Sequence, residues 1–154
     1  MKAIYVLLCF SIITASCGNN NADQPGADAD SIPAENTYSW EAALNDSSGR
    51  LEMRKVETTG LDSLTVPLVI NFINTGNPNI KLELVKTSGD TLYLKIADAT
   101  FLTQRMGSTG PTMYLATAVY NLTEIPGIRF VNFDFEEGDH AQPDTFSREN
   151  FKDE

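Results

Sequence analysis

The sequence predicts an α+β domain: a small mixed or antiparallel sheet with two helices packed on one face, in the order β-α-β-β-α-β. Three observations predict it. Apolar residues alternate with polar ones on both sides of a Gly-containing turn in residues 82–96. Two segments carry apolar residues at helical spacing, with a Pro near the start and a Gly or Pro near the end. A dense run of aromatic and β-branched residues lies at 128–135. Period-two and period-3.6 patterns that alternate along one chain imply layers of sheet and helix around one core.

Tyr38 and Trp40 open the domain and are expected to pack on its edge. Leu51, Met53 and Val56 give a weak first strand. Leu61 to Asn74 reads as a helix, with Asp62 or Ser63 as its cap and Pro67 in its first turn. Leu64, Leu68, Phe72 and Ile73 keep helical spacing, although the β-branched Val66, Val69 and Ile70 also suit a strand. Gly76 and Pro78 stop this element. Leu82 and Leu84, then Leu92, Leu94 and Ile96, alternate with polar neighbours around Thr87-Ser88-Gly89-Asp90. That pattern is a β-hairpin with one wet face. The second helix takes Ser108 or Thr109 as its cap, with Pro111 just inside. Leu115, Ala116, Val119 and Leu122 form its apolar stripe, flanked by Met113 and Tyr120. Pro126 and Gly127 end it, and Ile128 to Phe135 is a strong strand. Phe146 and Phe151 either fasten the C-terminal tail to the domain or face a partner; the sequence leaves both open.

The N-terminus predicts a different kind of segment. Lys2 precedes an apolar run of 11 residues, Ala3 to Ile13, too short to span a bilayer, which needs roughly 20. Thr14, Ala15 and Ser16 then lead to Cys17. This resembles the lipobox of bacterial lipoproteins, with Thr14 where Leu or Val is usual. The resemblance implies that residues 1–16 are a cleaved signal peptide and that Cys17 is acylated. Residues 17–36 are then the lipidated cysteine and a flexible tether, since this stretch holds one large apolar residue, Ile32, and cannot bury a core. The domain fills 37–154. Gly18 rather than Asp after the cysteine favours the outer membrane, if the cell has one. The expected place is therefore the cell envelope, lipid-anchored to a bacterial membrane.

Charge fits that expectation. The net charge is -10, and loss of residues 1–16 removes one lysine and no acid. Such a chain is repelled by nucleic-acid backbones and by anionic lipid headgroups, so no nucleic-acid partner is expected and membrane attachment needs a covalent anchor. Of the two cysteines, Cys9 leaves with the signal and Cys17 carries lipid. The mature domain then has no thiol for a disulfide, a metal or catalysis.

Residues 82–138 resemble a GerMN domain, the module first described in a spore-germination lipoprotein. The residues that carry the resemblance are Gly107-Ser108, the helix ending Val119-Tyr120-Asn121-Leu122-Thr123-Glu124-Ile125-Pro126-Gly127, and the strand Ile128-Arg129-Phe130-Val131-Asn132-Phe133. Asn121 stands where the family usually has Thr, and 134–140 is more acidic than its usual ending. The resemblance implies an envelope binding or assembly module with no established catalytic residue and no cofactor.

The chemistry-bearing candidates are few. Asp134, Glu136, Glu137 and Asp139 sit beside His140, the single histidine, just past the last strand. They suit a Ca²⁺ site in ligand type, without EF-hand spacing, or else a solvated acidic turn. His140 with Asp139 offers general acid/base chemistry with no evident nucleophile. Tyr93 on the wet face of the hairpin is a stacking platform for a sugar or peptide, and Arg105 lies near a helix start that would accept an anion. The expectation is a non-catalytic binding or assembly module for peptidoglycan or an envelope protein. A divalent-metal module using the 134–140 loop and an uncharacterised hydrolase are the alternatives.

Overall fold

The computed structural model describes residues 40–56 and 64–152. Cys17, the tether, Tyr38 and the proposed caps Asp62 and Ser63 lie outside the described residues. The fold is α+β. Its strands are β1 (Trp40–Leu44), β2 (Leu51–Lys55), β3 (Leu82–Ser88), β4 (Thr91–Ile96), β5 (Phe130–Asp134) and β6 (Asp144–Phe146). Its helices are α1 (Val66–Gly76) and α2 (Gly110–Leu122). A π-helical turn at Phe101–Arg105 precedes α2, and a 3₁₀ turn at Arg148–Phe151 follows β6.

Two sheets form where the sequence predicted one. β3-β4-β5-β6 make a four-stranded mixed sheet, and β1-β2 make a separate antiparallel ribbon. β4 and β5 run parallel and the other neighbours antiparallel. A parallel pair needs a crossover, and residues 97–129, which contain α2, supply it. The hairpin turn is tight: Ser88 pairs with Thr91, and Gly89 takes φ 60°, the left-handed region open to glycine.

The alternation read from the sequence sets the burial of the larger sheet. Leu82, Leu92, Leu94, Ile96, Val131 and Phe133 are at most 1% exposed. Full burial of such side chains contributes roughly 1.5–3 kcal/mol each. Val69, Ile70 and Ile73 of α1 join the same core, as do Leu115, Val119 and Leu122 of α2. The partners of that buried face on the other side of the strands, Tyr93, Lys95, Asn132 and Asp134, are half-buried or exposed.

Several predicted elements need correction. α1 begins at Val66 with Thr65 as its N-cap, not at Leu61, and Thr65 makes no side-chain cap bond. Its buried residues are Val69, Ile70, Phe72 and Ile73, so the β-branched pair turns inward while Leu68 stays half-buried. α2 is buried almost all round, including Tyr114, Ala118, Tyr120 and Asn121, rather than along one stripe. Thr109 is its N-cap, again without a side-chain bond. The strand predicted at 128–135 shortens to Phe130–Asp134. Trp40 packs against the core as expected, but Trp40–Leu44 forms a strand the sequence did not show, and β6 was not anticipated at all. The C-terminal tail is fastened: Phe146 stacks on Phe151 at 5.7 Å and meets Phe133 at 6.0 Å, and Phe151 is buried.

A polar latch docks the ribbon. Asn121 accepts a hydrogen bond from the Trp40 backbone N–H at 3.1 Å and donates to the Trp40 carbonyl at 2.7 Å. The Ala42 N–H donates to Thr117 Oγ1 at 3.1 Å. Four helical residues rise about 6 Å, and two strand residues rise about 6.6 Å. Thr117 and Asn121 therefore match the spacing of Trp40 and Ala42, and α2 stands in for a neighbouring strand. The Trp40 indole N–H donates to Glu124 at 2.7 Å, and its ring meets Tyr120 edge-on at 5.3 Å. Arg148 closes the cluster from the tail. It donates to Thr123 Oγ1, to the Tyr120 carbonyl and to Glu124, and its guanidinium lies 5.4 Å from the Trp40 ring. A cation that satisfies carbonyls in the last helical turn also opposes the negative end of the helix dipole.

Two outcomes follow from the latch. Asn121→Ala leaves the Trp40 peptide groups without their partner, and urea denaturation should show a loss of about 1–3 kcal/mol. The second concerns pH. Burial alone would raise the Glu124 pKa, but the hydrogen bonds from Arg148 and Trp40, with the charges of Arg148 and Lys55, hold it below its ordinary value of 4.5. A carboxylate depressed in the folded state stabilises fully above its unfolded pKa and loses that contribution as pH falls through the folded value. Thermal melts from pH 7 down to 3 should therefore lose less stability in Glu124→Gln than in the wild type, relative to each protein at pH 7.

Candidate ligand-binding groove

The solvent face of the larger sheet is built by register. Lys86 faces Tyr93, Tyr93 faces Asn132, and Asn132 faces Thr145, which places one residue from each strand in a row. Glu83, Lys95 and Asp134 form a parallel row beside it. Asn132 donates to Thr145 Oγ1 at 2.8 Å. The Lys86 ammonium lies 4.6 Å from the centre of the Tyr93 ring. Such a contact at a wet surface is worth about 0.5–1 kcal/mol, so a ligand can displace it at little cost.

An open groove of about 440 Å³ runs along this face. Val85 and Lys86 line one end; Tyr93 and Asn132 line the middle; Asp134, Pro143 and Asp144 line the other. The groove therefore offers an aromatic ring, an amide, a cation at one end and carboxylates at the other. This set suits a polar ligand with apolar faces, recognised by stacking and hydrogen bonds. Glu83 is held below its ordinary pKa by a hydrogen bond and charge from Lys81, at 2.9 Å, and remains an anion at neutral pH.

The sequence candidates do not converge. Tyr93 and Asp134 line the groove. Arg105 is exposed at the end of the π-helical turn, away from the groove lining. His140 is exposed and lines another hollow, over Pro111, Leu115, Phe146 and Phe151. Glu136 and Glu137 line a third, polar hollow with Asp98 and Thr103. Asp139 is exposed. Among the described residues, no three or more His, Cys, Asp or Glu side chains come together as a metal-holding group.

The acidic loop has a structural anchor. Phe135 is buried, Gly138 pairs with Ala141, and the His140 N–H donates to the Thr103 carbonyl at 3.1 Å. Gly138 lies so close to Thr103 that a Cβ there would sit 2.6 Å from the Thr103 Cβ. Lys86, Asn132 and Asp144 were missed as site residues. The first two were visible in principle, because alternation places them on the same face as Tyr93; Asp144 needs the unforeseen β6.

Comparison with protein-family models, with characterised proteins and with solved structures yields no match for this chain.

Gly138→Ala should lose about 1–3 kcal/mol in thermal or urea denaturation, because the added methyl forces the loop off the π-helical turn. Serine at the same position should cost at least as much, and unchanged stability in both would remove the close-packing account of the loop.

Proposed function

We propose that this chain is a bacterial envelope lipoprotein, anchored through acylated Cys17, whose GerMN-like domain binds peptidoglycan or an envelope protein without catalysis. The observation that supports the binding role best is the open groove on the sheet's solvent face, centred on Tyr93 and Asn132. Its shape is a shallow surface channel, and its functional groups suit recognition of a sugar or a short peptide. The N-terminal pattern of Lys2, the Ala3 to Ile13 apolar run and the small residues before Cys17 supports the anchor. No helix among the described residues is long and apolar enough to cross a membrane. An acidic domain of this kind needs a lipid anchor to stay at a membrane surface.

Two measurements on the full chain test the two halves of this reading. Feeding expressing bacteria an alkyne fatty acid should label the wild-type protein, and Cys17→Ala should abolish the label. An unlabelled wild-type protein would refute the anchor. The detergent-solubilised chain should co-sediment saturably with purified peptidoglycan. Tyr93→Ala and Asn132→Ala should each weaken that binding by about three- to tenfold, the loss of one stacking or polar contact. Saturable binding unaffected by either change would move the site elsewhere; no binding would leave an envelope protein as the ligand.

A further inference from the structure

Among the described residues, the outer side of β3 is covered at Leu82 alone. Asn74 of α1 donates to the Leu82 carbonyl at 2.9 Å and accepts from the Leu82 N–H at 2.8 Å. β3 stands at the edge of its sheet, and from Glu83 to Ser88 every residue is exposed. Leu84 is 43% and Val85 60% exposed. An open strand edge with apolar side chains is a template for another strand.

A second observation identifies which strand fits. Leu84 faces Leu94 and Lys86 faces Tyr93, so Val85 is an inserted residue in β3. Strict alternation would put Glu83 and Lys86 on opposite faces of the sheet. The insertion returns them to one face, since their neighbours Lys95 and Tyr93 both lie on the solvent side. Consider an antiparallel second copy of β3, related by a twofold axis between Leu84 and Val85. Glu83 then stands opposite Lys86 of the second copy, and Lys86 opposite its Glu83. Opposed residues in an antiparallel pair share a face, and opposite charges there attract. The bulge creates the parity that this pairing needs. Bulges and charges often protect an edge, but this edge carries one charge of each sign at positions that a twofold axis exchanges, so it does not repel its own copy.

We propose that β3 is a self-association edge, through which two copies of this chain join their four-stranded sheets into one continuous sheet about a twofold axis that brings each Glu83 opposite the other copy's Lys86. A single strand pair is a small interface and both copies are acidic, so the association is weak in dilute solution. Confinement of both copies to one surface raises their effective concentration and favours it.

The test uses two differently tagged full chains co-expressed in bacteria, crosslinked with formaldehyde in the intact cells and co-captured after extraction, with thermal melts confirming that each variant folds. Wild type should capture wild type. Glu83→Lys paired with itself, and Lys86→Glu paired with itself, should each lose capture by roughly tenfold, because two like-charge pairs replace two opposite ones. Glu83→Lys co-expressed with Lys86→Glu should restore it, since every opposed pair is again of opposite sign. Absence of wild-type capture, capture indifferent to the reversals, or failure of the mixed pair to recover would each overturn the proposal.

Discussion

The Asn121 side chain holds both backbone groups of Trp40, and the architecture around α2 depends on that grip. A two-stranded ribbon is marginal alone in water. β1-β2 is stable here because α2 offers it an edge made of side chains, with Asn121 and Thr117 spaced to match the strand. A buried amide left without its backbone partners would cost more than most single contacts return, so the arrangement is nearly all-or-none. Arg148 adds the tail to the same place, being only 30% exposed and bonded to Glu124, Tyr120 and Thr123. Residues more than 100 positions apart in sequence, Trp40 and Arg148, thus meet on the last turns of one helix.

α1 uses the same device. Asn74 grips Leu82 by N–H and carbonyl as Asn121 grips Trp40. Each helix therefore positions the start of a strand with one amide near its own C-terminal end. Beyond Leu82 nothing among the described residues covers β3. The domain thus presents a solvent face with the Tyr93 groove and, next to it, an open edge ending in the same Val85 and Lys86 that line the groove. Ligand binding and self-association through these residues would be coupled, because both recruit Lys86.

Local pattern made the central hairpin, α2 and β5 legible in the sequence. Leu82, Leu92, Leu94 and Ile96 are buried where alternation placed them. Leu51 and Met53 gave the ribbon's second strand, but β1 was illegible because its stabilising partners lie 75 to 84 residues away along the chain. Asn121 was visible only as a departure from a family pattern, with no sign that it serves a distant strand. The α1 cap was misplaced because Thr65 starts that helix without using its hydroxyl, whereas Thr109, one of the two residues expected to cap α2, takes that position. Of the candidate site residues, Tyr93 and Asp134 share the groove because strand register puts them near each other. Arg105 ends the π-helical turn and His140 lies on a loop, neither signalled by periodicity, and both fall elsewhere.

The central claim is that the ribbon and the tail are held as one unit through Trp40. A double-mutant cycle on Asn121→Ala and Arg148→Ala, read by urea denaturation, tests it most directly. Asn121 and Arg148 act on different parts of Trp40, its backbone and its ring. If the latch is one unit, losing Asn121 frees the ribbon and already forfeits part of what Arg148 contributes. The double variant should then be more stable than the sum of the single losses implies, by about 0.5–2 kcal/mol. Strict additivity would contradict the account and make the two ends of the chain independent attachments to α2.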